Sequence, residues 1–177
     1  MKWKNIDIGP AYYYITGTFT EWLPLFRRED VRGMVCEEIT KTLEEQRAWL
    51  SAFVLMPDHL HLLAYLPEQG ILHEFCKRWR GRSAIRILAT LKAQGDDATL
   101  EVMARHANGK AQYAVWKEQP RALAIYSEQK LNAMVNYIHA NPLRRRLVEN
   151  PEDWALSSYA FYEGGAEVAL PVRPWEL

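Results

Sequence analysis

Two histidines one residue apart in an otherwise aliphatic stretch are where this sequence first suggests chemistry. They are His59 and His61 in Phe53-Val54-Leu55-Met56-Pro57-Asp58-His59-Leu60-His61-Leu62-Leu63. Side chains alternate along a strand, so both imidazoles project from one face and Leu60 and Leu62 from the other. Neutral imidazole is the commonest metal-binding side chain, and a rigid strand holds the two rings ready as a ligand pair. A half-buried strand whose histidines meet only backbone or water would carry the same pattern. The spacing names neither the metal nor the reaction. Asp58 adjoins the pair, but strand alternation turns it to the opposite face, away from any ion.

The elements around this stretch follow from pattern. Trp49–Leu55 and His59–Leu66 read as strands, and the Met56-Pro57-Asp58 turn makes them an antiparallel hairpin. Pro57 fits there because a turn does not need its missing N–H. Upstream, Tyr12–Thr20 is aromatic and β-branched, hence a strand, with its aromatic residues read as core packing. Trp22–Phe26 reads as a loop. From Arg28 to about Arg47, Val31, Met34, Val35, Ile39 and Leu43 recur at helical steps. Ile71 to about Ala93 is a long helix with Phe75, Trp79, Ala84, Ile87, Leu88 and Leu91 inward. Its other positions carry Lys77, Arg78, Arg80, Arg82 and Arg86, a charge run of one sign.

Residues 98–110 carry no clear pattern. A short strand is expected around Tyr113–Trp116, then a loop over Lys117–Pro120. Ser127 is placed to cap a helix running to about Ala140 and ending before Pro142. The segment from Gly164 reads as irregular. The order is then β-α-β-β-α-β with a helix appended. It fits an α+β, ferredoxin-like antiparallel sheet with helices on one face, in a single domain over residues 1–177 with its core at about 10–162.

Composition sets limits. The chain has 177 residues, long enough to bury a full core, and its 49% apolar and 12% aromatic content excludes general disorder. Lys+Arg and Asp+Glu are both 22, so net charge is zero and bulk attraction to nucleic acid is weak, although a local basic face is compatible with that balance. Cys36 and Cys76 stand alone, with neither a disulfide framework nor a zinc-ribbon spacing, and free thiols fit a reducing cytosol. Met1–Asp7 lacks the apolar run of a secretory leader, and no stretch approaches the roughly 18 apolar residues of a membrane span.

The helix from Glu128 to Ala140 supplies the other half of a site. Leu131, Met134, Val135 and Ile138 make its apolar stripe. Tyr137 lies on the stripe's border, and Asn141 sits one turn further along the same side. From there a phenol and an amide can face the histidine-bearing side of the sheet. Taken alone, Tyr137 also reads as a core-edge tyrosine and Asn141 as a helix-end residue. His139, about 200° around from Tyr137, should face elsewhere. His73 and His106 have no spacing that gives them a role.

Together these motifs resemble a known family. Met56-Pro57-Asp58-His59-Leu60-His61 matches the His-hydrophobic-His strand of single-tyrosine HUH transposases. Tyr137-Ile138-His139-Ala140-Asn141-Pro142-Leu143, followed by Pro151-Glu152-Asp153-Trp154 and Ser157-Ser158-Tyr159, resembles the tail of the bacterial REP-associated tyrosine transposases. The resemblance spans about residues 10–162. It implies that His59, His61 and Asn141 hold Mg²⁺ or Mn²⁺ and that Tyr137 attacks a phosphodiester of single-stranded or hairpin DNA, cutting near repeat-derived hairpins. The 5′-phosphotyrosine so formed keeps the ester's energy for religation. It also implies a bacterial, cytoplasmic protein, with a monomer and a two-fold homodimer both compatible. Lys77, Arg78, Arg80, Arg82, Arg144, Arg145 and Arg146 are the expected phosphate contacts, and Trp79 or Trp116 could stack bases if they are not core.

Two other readings fit the same residues. A hairpin-binding module that has lost catalysis would bind DNA without a covalent adduct. An unrelated His-x-His metal hydrolase would turn over without Tyr137, but the sequence offers no third His or acidic ligand at a convincing spacing.

Overall fold

A computed structural model describes residues 9–109, 111–117 and 120–176. The leader reading of Met1–Asp7, and residues 118 and 119 of the expected loop, lie outside them.

Four strands form one antiparallel sheet: β1 (Ala11–Thr18), β2 (Trp49–Leu55), β3 (His59–Leu66) and β4 (Arg121–Ile125), in the order β2-β3-β1-β4. Helix α1 (Glu29–Glu45) links β1 to β2. Helices α2 (Ile71–Ala93) and α3 (Asp97–Arg105) link β3 to β4, and α4 (Glu128–His139) follows β4. This is the expected ferredoxin-like arrangement.

Strand alternation feeds two separate cores. Tyr13, Ile15, Leu60, Leu62 and Ala64 point to one side, against Val31, Val35 and Ile39 of α1, Phe75, Trp79 and Ile87 of α2, and Leu100 and Met103 of α3. Tyr12, Val54 and Leu63 point to the other, where Leu131, Val135 and Ile138 of α4 cover them. α1, α2 and α3 therefore share one face and α4 has the opposite one. His59 and His61 have the parity of Leu63, which puts them on the α4 side.

Four expectations change. The fourth strand is Arg121–Ile125, not Tyr113–Trp116. Its two alanines are weak strand formers, which hid it. Trp116 is instead a buried plug: it stacks on Phe19 with ring centres 4.1 Å apart, and its indole N–H donates to Ser83 Oγ at 3.2 Å. Trp79 is fully buried, so both tryptophans are core and neither is a stacking platform for bases. Gly17 makes room for Trp79, because a Cβ there would lie 2.7 Å from the indole. The patternless residues 98–110 include helix α3, whose start Asp96 caps by accepting from the Thr99 N–H at 3.2 Å. The Trp22–Phe26 loop is Leu23-Pro24 flanked by two short 3₁₀ turns, Thr20–Trp22 and Leu25–Arg27.

From Gly165 the chain is irregular, as expected, and both this tail and the Leu156–Ser158 stretch before it are docked. Ser158 Oγ accepts from the Phe53 N–H at 3.0 Å, the Ser158 N–H donates to the Phe53 carbonyl at 3.0 Å, and the Arg173 N–H donates to the Leu50 carbonyl at 2.9 Å. These bonds cover the outer edge of β2, where bare strand amides would otherwise stand open. His139 is buried against this segment, with Nε2 2.7 Å from Ser158 Oγ.

Burial pushes the His139 imidazole down to about 4. Free histidine titrates near 6.5. Above that pH both folded and unfolded chains hold the neutral ring. Between about 6.5 and 4 only the unfolded chain takes up a proton, so stability falls as pH falls, by up to about 3 kcal/mol from this group. Urea unfolding of the chain and of a His139→Gln variant at pH 7 and pH 4.5 should show the acid loss reduced in the variant.

Candidate active site

β3 holds His59 and His61 with ring centres 4.8 Å apart, and both side chains are nearly buried. Each ring is anchored through Nδ1. The Asp58 carboxylate contacts His59 Nδ1 directly. Asp58 thus does not turn away: it precedes the strand, in the turn, where alternation does not govern its direction. His61 Nδ1 lies 2.7 Å from the Tyr14 hydroxyl and 3.0 Å from Thr16 Oγ1. The antiparallel register sets Thr16 opposite His61 and Thr18 opposite His59. With both Nδ1 atoms engaged, Nε2 of each ring is left for a ligand, and second partners of this kind fix the tautomer and orientation of metal-binding histidines.

Burial is the main cause that lowers the His61 ring to about 3, and the neighbouring His59 adds to it. His61 is therefore neutral at physiological pH, the form that coordinates a cation. The Asn141 amide reaches the same ring and favours its protonated form, as an oxygen acceptor does. The other end of that amide is committed, with Nδ2 donating to the Tyr137 carbonyl at 2.8 Å. Asn141 opens a short helix, α5 (Asn141–Arg144), that continues α4 past Pro142, so the helical path runs one turn beyond its expected end. The result is two neighbouring imidazoles with the Asn141 amide beside one of them. Among the described residues no group of three or more His, Cys, Asp or Glu side chains converges.

Tyr137 is on the same side. Its ring centre is 6.1 Å from that of His61 and 6.0 Å from that of Tyr14, edge-on to both. The side chain is 38% exposed, at the rim of the buried stripe of α4. The Arg144 guanidinium stands 5.2 Å from its ring centre, and the charge of Arg145 acts on His61. His139 points elsewhere, toward Tyr159 and Tyr162, as its helical angle requires.

The expected phosphate contacts divide into two groups. Arg144, Arg145 and Arg146 are exposed and begin three residues after Asn141; among the described residues none is ion-paired. Lys77, Arg78, Arg80 and Arg82 are on α2, across the sheet from the histidines. Lys77 lies 3.7 Å from Glu74, Arg78 pairs with Glu74 at 2.8 Å and Glu45 at 3.0 Å, and Arg82 pairs with Glu45 at 2.9 Å. Arg80 is partly buried and donates to the Lys117 carbonyl. The one-signed run on α2 is thus largely met by acids of α1 and of its own helix.

Tyr14 and Thr16 are the site residues that sequence reasoning passed over. Their alternation on β1 was visible, but the register that sets them beside His61 was not. Burial pushes the Tyr14 phenol well above its ordinary value, and Tyr137 reinforces the shift by charge and by hydroxyl contact.

The chain belongs to the family described as Transposase IS200 like, whose profile matches residues 22–141. More narrowly, it is similar to a REP-associated tyrosine transposase of Escherichia coli strain K12, at 24% identity over 126 residues, 71% of this chain and 63% of that one. A Haemophilus influenzae protein assigned to the same group is 29% identical over 111 residues, 61% of this chain and 57% of its own. The chain thus matches about three fifths of the length of these relatives. A solved REP-associated tyrosine transposase bound to a REP hairpin shares the fold with a TM-score of 0.66, at 16% identity, over 100% of this chain and 94% of that one. Among the described residues no helix is long and apolar enough to cross a membrane.

Proposed function

We propose that this chain is a metal-dependent, single-tyrosine endonuclease and strand transferase acting on single-stranded DNA beside a hairpin. The observation that carries this reading is the Tyr137 ring 6.1 Å from His61 on the same chain. A divalent cation, Mg²⁺ or Mn²⁺, would be held by Nε2 of His59, Nε2 of His61 and the Asn141 oxygen. Two nitrogens without a carboxylate suit Mn²⁺ better than Mg²⁺, which prefers oxygen. When bound, it would withdraw charge from a non-bridging phosphate oxygen.

The rest of the chemistry belongs to the chain. The Tyr137 hydroxyl oxygen attacks phosphorus and loses its proton. The bond to the 3′-oxygen of the preceding nucleotide breaks, and that oxygen takes up a proton as a free 3′-hydroxyl. A second 3′-hydroxyl can then displace the tyrosine, restoring the phenol without added energy. Arg144, Arg145 and Arg146 would contact the strand's phosphates. Such work on chromosomal DNA belongs to the bacterial cytoplasm.

The test is to incubate the protein with single strands flanking a REP-type hairpin, in Mn²⁺ or Mg²⁺, and look for a covalent adduct on a denaturing gel. Mass spectrometry should find the 5′-phosphate on Tyr137. The reading fails if no such substrate gives an adduct in either metal, or if the adduct maps to another residue. Hairpin binding without an adduct would mark a binding module instead.

The arginine groups give a separate expectation. Arg145→Ala should weaken hairpin binding and reduce the slope of log affinity against log salt by about 1. Arg82→Ala, whose partner is Glu45, should change neither appreciably; fluorescence anisotropy from low to moderate salt checks both.

A further inference from the structure

Tyr14 touches both halves of the candidate site. Its hydroxyl is 2.7 Å from His61 Nδ1, its ring stacks on the His61 imidazole with centres 5.2 Å apart at 25°, and the Tyr137 ring meets it edge-on at 6.0 Å. A tyrosine serving only as core packing has no need to span these two groups, and the ring is only partly covered.

The direction of the hydrogen bonds follows from chemistry. If His61 binds a cation through Nε2, its proton must be on Nδ1, so Nδ1–H donates to a hydroxyl oxygen. When that acceptor is Tyr14, its own O–H is left to donate to the Tyr137 oxygen. One phenol then holds a ligand ring in its coordinating tautomer and fixes the oxygen that attacks phosphorus.

We propose that Tyr14 is a positioning residue that couples the metal-binding imidazole of His61 to the nucleophile Tyr137, with Thr16 as a second hold on His61. The part concerning Tyr137 rests on the nuclease reading above. The part concerning His61 needs only that the chain bind a divalent cation.

The variant is Tyr14→Phe, which removes one oxygen and keeps the stacked ring. Three quantities are measured: Mn²⁺ affinity of the protein alone by calorimetry, hairpin affinity, and single-turnover adduct rate at saturating DNA and Mn²⁺. Mn²⁺ affinity should fall about tenfold, the low end for loss of a ligand's supporting hydrogen bond. The adduct rate should fall at least tenfold even at saturating Mn²⁺, with hairpin affinity within about twofold of the parent, the separation expected for an interaction that orients reacting atoms. Thr16→Val should share the loss of Mn²⁺ affinity, and added Mn²⁺ should restore its adduct rate.

Unchanged Mn²⁺ affinity and unchanged rate in Tyr14→Phe would overturn the proposal. So would a loss of hairpin affinity as large as the loss of rate, which marks a structural role. If the parent chain forms no adduct, the nuclease reading has failed. The Mn²⁺ arm still decides the role at His61: weaker binding by Tyr14→Phe supports it, and equal binding, or none by the parent, overturns it.

Discussion

A Tyr137→Phe chain is expected to bind a hairpin oligonucleotide as the parent does and to form no covalent bond with it. The ring that remains keeps its edge contacts to His61 and Tyr14 and its place under the Arg144 guanidinium. At 38% exposure the position is on the rim of the core, so the loss of one oxygen should cost little stability. What disappears is the only atom proposed to attack phosphorus. Water could replace it only without the covalent intermediate. The expected result is an adduct band below detection, set against hairpin affinity within about twofold by anisotropy. An adduct as abundant as the parent's would remove Tyr137 from the mechanism.

The second large effect is expected at His61. Its replacement takes away one of three proposed cation ligands and the partner of the Tyr14 and Thr16 hydroxyls. Metal activation of a phosphoryl oxygen is worth several kcal/mol, so His61→Gln should lower the adduct rate about a thousandfold. His61 is nearly buried, and unpartnered hydroxyls there would cost about 1–3 kcal/mol. Glutamine retains a polar end to limit that cost, and urea unfolding separates a folding loss from a catalytic one. A folded His61→Gln chain that forms adduct at the parent's rate would leave the histidine pair without its proposed role.

The legible parts of the fold are those where one physical signal dominates. The aliphatic runs on either side of Met56-Pro57-Asp58 fixed β2 and β3 from end to end, and the break at Gly70 fixed the start of α2. β4 was hidden because Ala122 and Ala124 carry little strand preference while the richer Tyr113–Trp116 segment fills the core. α3 was short, and its cue was a single aspartate cap.

The site divides in the same way. The shared side of His59 and His61, and that of Tyr137 and Asn141, were legible because strand and helix periods alone put each pair together. Tyr14 depends on the register of β1 against β3, a long-range fact that no local window contains. Asp58 was misplaced by extending strand alternation one residue into a turn. The ion pairs of Arg78 and Arg82 could not be read from the α2 pattern, because their partner Glu45 is on another helix.

One polypeptide carries the phenol, the amide and both imidazoles, all on one side of its own sheet. The reaction should therefore be first order in protein, with turnover per molecule indifferent to dilution. A centre completed by a second copy would instead fade as the solution thins. Adduct yield per mole, followed down a dilution series at constant excess of oligonucleotide, tells the two kinetic laws apart.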